Sequence, residues 1–114
     1  MAVNGNAKGK VGEREVAELM RKNGFEARRG QQFSGGGDSP DVVHNMKGFH
    51  IEVKRTGKQT DIFKAMAQAT RDKKQEDVPL VFHRKNNQDW VVVMKAKDFF
   101  DLMNKYVYEE VPPK

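Results

Sequence analysis

The hydrophobic positions of this chain change period along its length, and each change marks an element. Val16, Ala17, Leu19 and Met20 recur at helical spacing on one stripe. Gly24 follows them as a left-handed cap, so the pattern predicts a helix over 11–23. A strand is expected over 25–29. Gly35, Gly36 and Gly37 in succession sustain neither helix nor strand, and 34–39 reads as a loop. Two strands follow, 41–45 and 48–55, reversing at Met46 and Lys47. A second helix is predicted over 61–74, burying Ile62, Phe63, Met66 and Ala69. Residues 78–84 and 90–94 read as a hairpin, with Trp90 as core packing. A last helix over 97–106 is expected to pack through Phe99, Phe100, Leu102, Met103 and Tyr106. The order αβββαββα predicts an α/β fold, a mixed central sheet flanked by helices.

Length and composition narrow the classes. At 114 residues the chain is read as one domain, 1–114, with 1–9 a flexible basic arm and 109–114 a loose tail. Cysteine is absent, which excludes disulfide scaffolds, thiolate zinc sites and cysteine nucleophiles. The longest apolar runs, such as 91–94, are too short to span a bilayer, and 1–10 lacks the apolar stretch of a signal peptide. A cytoplasmic protein without a membrane partner is expected. Lys and Arg number 21 against 16 Asp and Glu, a net charge of +5. That surplus favours a polyanionic partner, nucleic acid ahead of an anionic membrane.

Three carboxylates and one lysine carry the chemistry. Glu13 stands three, four and seven positions before Val16, Ala17 and Met20, so it shares the inward face of its helix. Arg14, Glu15 and Glu18 point elsewhere and read as solvated. A carboxylate turned inward needs a partner; a helix N-terminal residue favoured by the macrodipole explains Glu13 equally well. Alternation over 49–54 sends Phe49, Ile51 and Val53 to one face and His50, Glu52 and Lys54 to the other. A reversal centred between Met46 and Lys47 sets Asp41 opposite Glu52, with Cβ atoms about 5 Å apart. An odd-length turn would move Asp41 off that face. Two carboxylates facing each other destabilise a hairpin but form a site for a hard divalent cation. Oxygen-only ligands favour Mg²⁺ or Mn²⁺. Lys54 would then hold an attacking water or neutralise charge building at phosphorus. Next to a basic surface, this reads as phosphodiester hydrolysis.

Ser39-Pro40-Asp41 followed by Ile51-Glu52-Val53-Lys54 resembles the PD-(D/E)xK nuclease signature. With the upstream segment Lys8-Gly9-Lys10-Val11-Gly12-Glu13-Arg14-Glu15, the chain resembles archaeal-type Holliday junction resolvases and their small phage-borne relatives, from about Lys8 through Leu102. The resemblance implies a restriction-endonuclease-like αβββαβ core and a Mg²⁺-dependent endonuclease. Asp41 and Glu52 would bind metal, the Val53 backbone carbonyl would add a ligand, Glu13 would complete the acidic cluster, and Lys54 would be the catalytic lysine. Gln68 is the candidate for the glutamine that such relatives carry on the helix after the lysine strand, although a polar helix face explains it equally well. The resemblance also implies a homodimer, branched or duplex DNA as partner (the four-way junction first), in-line attack, and a 5′-phosphate product.

The basic residues Lys8, Lys10, Arg14, Arg28, Arg29, Arg55 and Lys58 flank the proposed site in sequence and are predicted to contact phosphates, with Ser34 of the glycine-rich loop reaching a further one. That loop lacks the Gly-Lys-Ser or Gly-Lys-Thr ending of a nucleotide-binding loop. His44, His50 and His83 lack the spacing of a zinc site; His50 shares the Glu52 face, which fits a place near the site, but it reads first as a surface residue. Two other functions fit the same residues. One is a nuclease of this fold acting as a nickase or on flaps, mismatches or recombination intermediates. The other is a non-catalytic basic DNA-binding module.

Overall fold

The computed structural model describes residues 5–30, 41–57 and 61–110. Helix α1 (Gly5–Lys22) buries Val16, Ala17 and Met20. It stops in two bonds, Gly24 N–H to the Arg21 carbonyl at 3.1 Å and Phe25 N–H to the Met20 carbonyl at 3.0 Å. Gly24 adopts φ 93° there, which a residue with a Cβ resists. The helix starts six residues before its apolar stripe suggests, so residues 5–9, read above as part of an arm, are helical. Once the buried stripe nucleates the helix, each added residue gains a backbone bond without needing an apolar side chain.

Strand β1 (Ala27–Arg29) pairs antiparallel with β2 (Val42–His44), Arg29 opposite Val42. Strand β3 (Phe49–Thr56) lies parallel to β4 (Val78–Lys85), and β5 (Val91–Val93) runs antiparallel to β4. The parallel pair requires a crossover, which α2 (Ile62–Asp72) supplies. Asp61 caps α2 by accepting the Lys64 N–H at 3.0 Å. One face of the β3–β4 pair packs Ile51, Val53, Leu80 and Phe82 against Val16, Ala17 and Met20 of α1. The other packs Val81 against Ala65, Met66 and Ala69 of α2. The result is a mixed α/β fold, a three-stranded mixed sheet flanked by helices, consistent with a restriction-endonuclease-like core.

Three expectations are corrected. The strands on either side of Met46 are not paired as a hairpin among the described residues: β2 spends its backbone bonds on β1, and Glu26 and Asn45 clamp that ribbon through Asn45 N–H to Glu26 O at 3.1 Å and Glu26 N–H to Asn45 Oδ1 at 2.9 Å. Phe63 is 87% exposed rather than buried, because the small side chains Ala65 and Ala69 let α2 settle onto Val81 and turn the 63 position outward. The last helix, α3 (Ala96–Glu110), does not cover the sheet: Phe100 and Tyr106 are 63% and 61% exposed. It extends through residues 109 and 110, where the sequence pattern predicts a loose tail.

Candidate active site

Strand β3 is buried on both faces, and this carries Glu52 inside. Ile51 and Val53 fill the α1 side, so alternation leaves Glu52, 4% exposed, on the α2 side with Lys54. Lys54 Nζ stands 3.4 Å from Glu52 Oε1 and donates to Gln68 Oε1 of α2 at 3.0 Å. Gln68 is thereby brought to the site. His83, opposite Lys54 on β4, bonds the Lys54 carbonyl through Nδ1 at 3.0 Å and fixes that stretch of strand.

Asp41 arrives by a different route from the one its sequence position suggests. It lies just before β2, where its carbonyl accepts the Gly30 N–H at 2.9 Å and continues the β1–β2 ribbon. Its side chain takes the place of a neighbouring strand: Oδ2 accepts the Val53 N–H at 2.8 Å, one residue beyond Glu52. Burial is the first cause that pushes the Asp41 carboxyl above its usual range, while the Val53 N–H and Lys54 pull it down. Burial, then repulsion from Asp41, pushes Glu52 up to about 7, against the pull of Lys54. Two desolvated carboxylates that oppose each other beside a single ammonium make a site short of positive charge.

Glu13 stands on the inner side of α1, as its spacing implies, and accepts from Arg29 Nε of β1 at 2.8 Å. Burial and Asp41 push its carboxyl up, and Arg29 opposes them. Among the described residues, no three of His, Cys, Asp and Glu form a group close enough to hold a metal ion. The pair Asp41 and Glu52 is the oxygen donor set that suits a hard cation. One or two carboxylates, with water and substrate phosphate completing the shell, is how Mg²⁺ is ordinarily held.

Comparison with known proteins decides the family. Residues 4–98 match the family model of the archaeal Holliday junction resolvase (hjc). The chain belongs to that family. A search of curated proteins returns no match. Membership makes this a Holliday junction resolvase-type nuclease, of a family that acts on Holliday junction DNA. No described helix is long and apolar enough to cross a membrane.

The resolvase family's DNA has to be met by basic groups, and these divide into two sets. Lys10, Arg14 and Arg28 are exposed, while Lys8 lies in the first turns of α1. Arg29 is held by Glu13, and Arg55 is turned into the protein, where its guanidinium donates to Thr56 O at 3.1 Å and Asn86 Oδ1 at 2.8 Å. Ser34 and Lys58 lie outside the described residues.

Glu15, which reads as solvated in sequence, is a structural hub. Oε2 accepts from Arg84 at 2.7 Å and from Trp90 Nε1 at 2.9 Å, tying α1 to both strands of the β4–β5 hairpin beside its turn. No local pattern announces this, because its partners lie 69 and 75 residues away. Gly12 is a second residue without a local signal: a Cβ there would stand 2.5 Å from Arg55 Cβ, so glycine lets α1 close onto β3. His50 is half-buried beside the site rather than on the surface, with its Nε2 buried and unbonded among the described residues.

Proposed function

We propose that this chain is a metal-dependent endonuclease that hydrolyses phosphodiester bonds in four-way DNA junctions at Asp41, Glu52 and Lys54. The observation that carries the reading is Glu52, buried to 4% exposure yet set against Asp41 and only 3.4 Å from Lys54. Such an arrangement is expensive for folding alone. Asp41, Glu52 and the Val53 carbonyl would hold Mg²⁺ or Mn²⁺, with Glu13 an acidic neighbour whose Arg29 pair limits its part. When bound, the ion supplies Lewis acidity and neutralises charge on the scissile phosphate.

This chain's own groups do the rest. Lys54 orients the attacking water or meets the negative charge that develops on the phosphoryl oxygens. Gln68 holds the Lys54 ammonium in place. Burial of Glu52 excludes bulk water and strengthens each of these interactions. In-line attack expels the 3′ oxygen and leaves a 5′-phosphate. Exposed Lys10, Arg14 and Arg28 supply salt-sensitive affinity for backbone phosphates. A symmetric junction calls for two sites, hence a homodimer that makes paired nicks.

The test is cleavage of an immobile four-way junction, a flap and a linear duplex at equal salt, with and without Mg²⁺. Junction cleavage that requires Mg²⁺ and exceeds the rates on the other substrates is the expected result. Equal rates on all three would replace the junction with a broader substrate, and binding without cleavage would make the chain a DNA-binding module.

A further inference from the structure

Two of the three histidines use a ring nitrogen to hold backbone. His44 Nδ1 accepts the Met46 N–H at 3.0 Å, and His83 Nδ1 bonds the Lys54 carbonyl at 3.0 Å. His50 is the exception. Its Nε2 is buried and bonds none of the described residues. A buried polar atom without a partner is costly for folding and asks for a reason. Its place supplies one. Alternation along β3 sets His50 on the face of Glu52 and Lys54, two residues before the buried acid. The ring is near enough to Asp41 to join the Val53 N–H and Lys54 in opposing the upward push that burial gives that carboxyl. On this face Lys54 can only donate, and Gln68 Oε1 already accepts from it. His50 Nε2 is thus an unused neutral acceptor beside two opposed carboxylates.

Two partners are the wrong ones. A DNA phosphate cannot reach Nε2, because that atom presents no surface to solvent. Direct ligation fails as well, because among the described residues His50 forms no group of three with Asp41 and Glu52 close enough to share an ion. A water lying between them is within reach. An ion such as Mg²⁺, held by one or two carboxylates, keeps several of its waters. Polarised by the ion, those waters are strong donors that need acceptors. We infer that His50 is a positioning residue of the cation site, its Nε2 accepting a hydrogen bond from a water in the shell of the ion held by Asp41 and Glu52. The imidazole then carries its proton on Nδ1 and adds no charge. Anchoring one water raises the affinity for the ion without a further ligand. The inference rests on the preceding reading for the presence of a cation, and its test reads ion binding rather than cleavage.

With three histidines in the chain, each ring nitrogen can be followed by long-range ¹H–¹⁵N correlation, and His50→Gln assigns the His50 pair by its loss. Addition of Mg²⁺ should move the His50 Nε2 resonance far more than those of His44 and His83, and Asp41→Asn should abolish the movement. In calorimetric titrations, His50→Ala should bind Mg²⁺ roughly 10–100-fold more weakly than the unaltered chain. His50→Gln, whose amide oxygen can accept from the same water, should recover most of that loss, with circular dichroism confirming that both variants fold. A His50 Nε2 resonance that stays in place while Mg²⁺ binds would overturn this assignment alone. So would undiminished binding by the alanine variant, or a loss that glutamine does not recover. Failure of the unaltered chain to bind Mg²⁺, or binding that survives in Asp41→Asn, would overturn the preceding reading and this one with it.

Discussion

Lys54 of β3 donates to Gln68 of α2 at 3.0 Å while standing 3.4 Å from Glu52, so one ammonium links the strand, the crossover helix and the buried acid. If Lys54 acts in the transition state, Lys54→Ala should lower the single-turnover cleavage rate by roughly 10²–10³-fold. Gln68→Ala, which only frees the lysine, should lower it by roughly 10–100-fold. Gel shifts with the junction should show little change in Kd for either. Weakened binding at an unchanged cleavage rate would assign Lys54 to phosphate contact instead.

Asp41 has two duties that substitutions can separate. Asp41→Asn keeps an oxygen that can accept the Val53 N–H, whereas Asp41→Ala leaves that donor without its partner. Thermal melts should therefore place the alanine variant below the asparagine variant by about 1–3 kcal/mol. Both should fail to cleave, and Asp41→Asn should bind the junction at least as tightly as the unaltered chain, because one negative charge is gone from the DNA-facing site.

Glu52 sets a pH dependence of stability. Its carboxyl is raised from 4.5 to about 7 on folding, by burial first and by Asp41 second. Between those values the folded chain keeps a proton that the unfolded chain has released, so stability falls as pH rises through this window. The full effect is about 3 kcal/mol at most, with the opposing pull of Lys54 already contained in the raised value. Melts in a chelator at pH 5 and pH 8 should show the loss, and Glu52→Gln should flatten it. A variant with the same slope as the unaltered chain would remove Glu52 as its source.

Two glycines of α1 should respond in opposite directions. Gly12→Ala drives a Cβ to 2.5 Å from Arg55 Cβ and should destabilise by about 1–3 kcal/mol. Gly9→Ala meets nothing within 4 Å and should stabilise by roughly 0.5–1 kcal/mol through better helix propensity. Denaturant midpoints of the two variants check both signs.

The element order and both faces of β3 were legible in the sequence because they follow from spacing alone: alternation places Glu52 with Lys54, and the helical period turns Glu13 inward. The arrival of Asp41 beside them was legible only in outcome. Turn symmetry suggested a hairpin, but pairing of β2 with β1 removes that ladder, and a side-chain bond to Val53 takes its place. Glu15 and Gly12 were hidden because their partners, Arg84, Trp90 and Arg55, are remote in sequence. The α3 stripe has the pattern of a core helix, and periodicity cannot say whether an apolar face is covered by its own chain or by another.

The most direct measurement of the central claim is a Mn²⁺ titration followed by electron paramagnetic resonance on the unaltered chain, Asp41→Asn and Glu52→Gln, each also melted to confirm folding. If Asp41 and Glu52 hold the cation together, the unaltered chain binds Mn²⁺ and each single substitution weakens binding at least about tenfold, a difference of about 1.4 kcal/mol. Undiminished Mn²⁺ binding by both folded variants would contradict it.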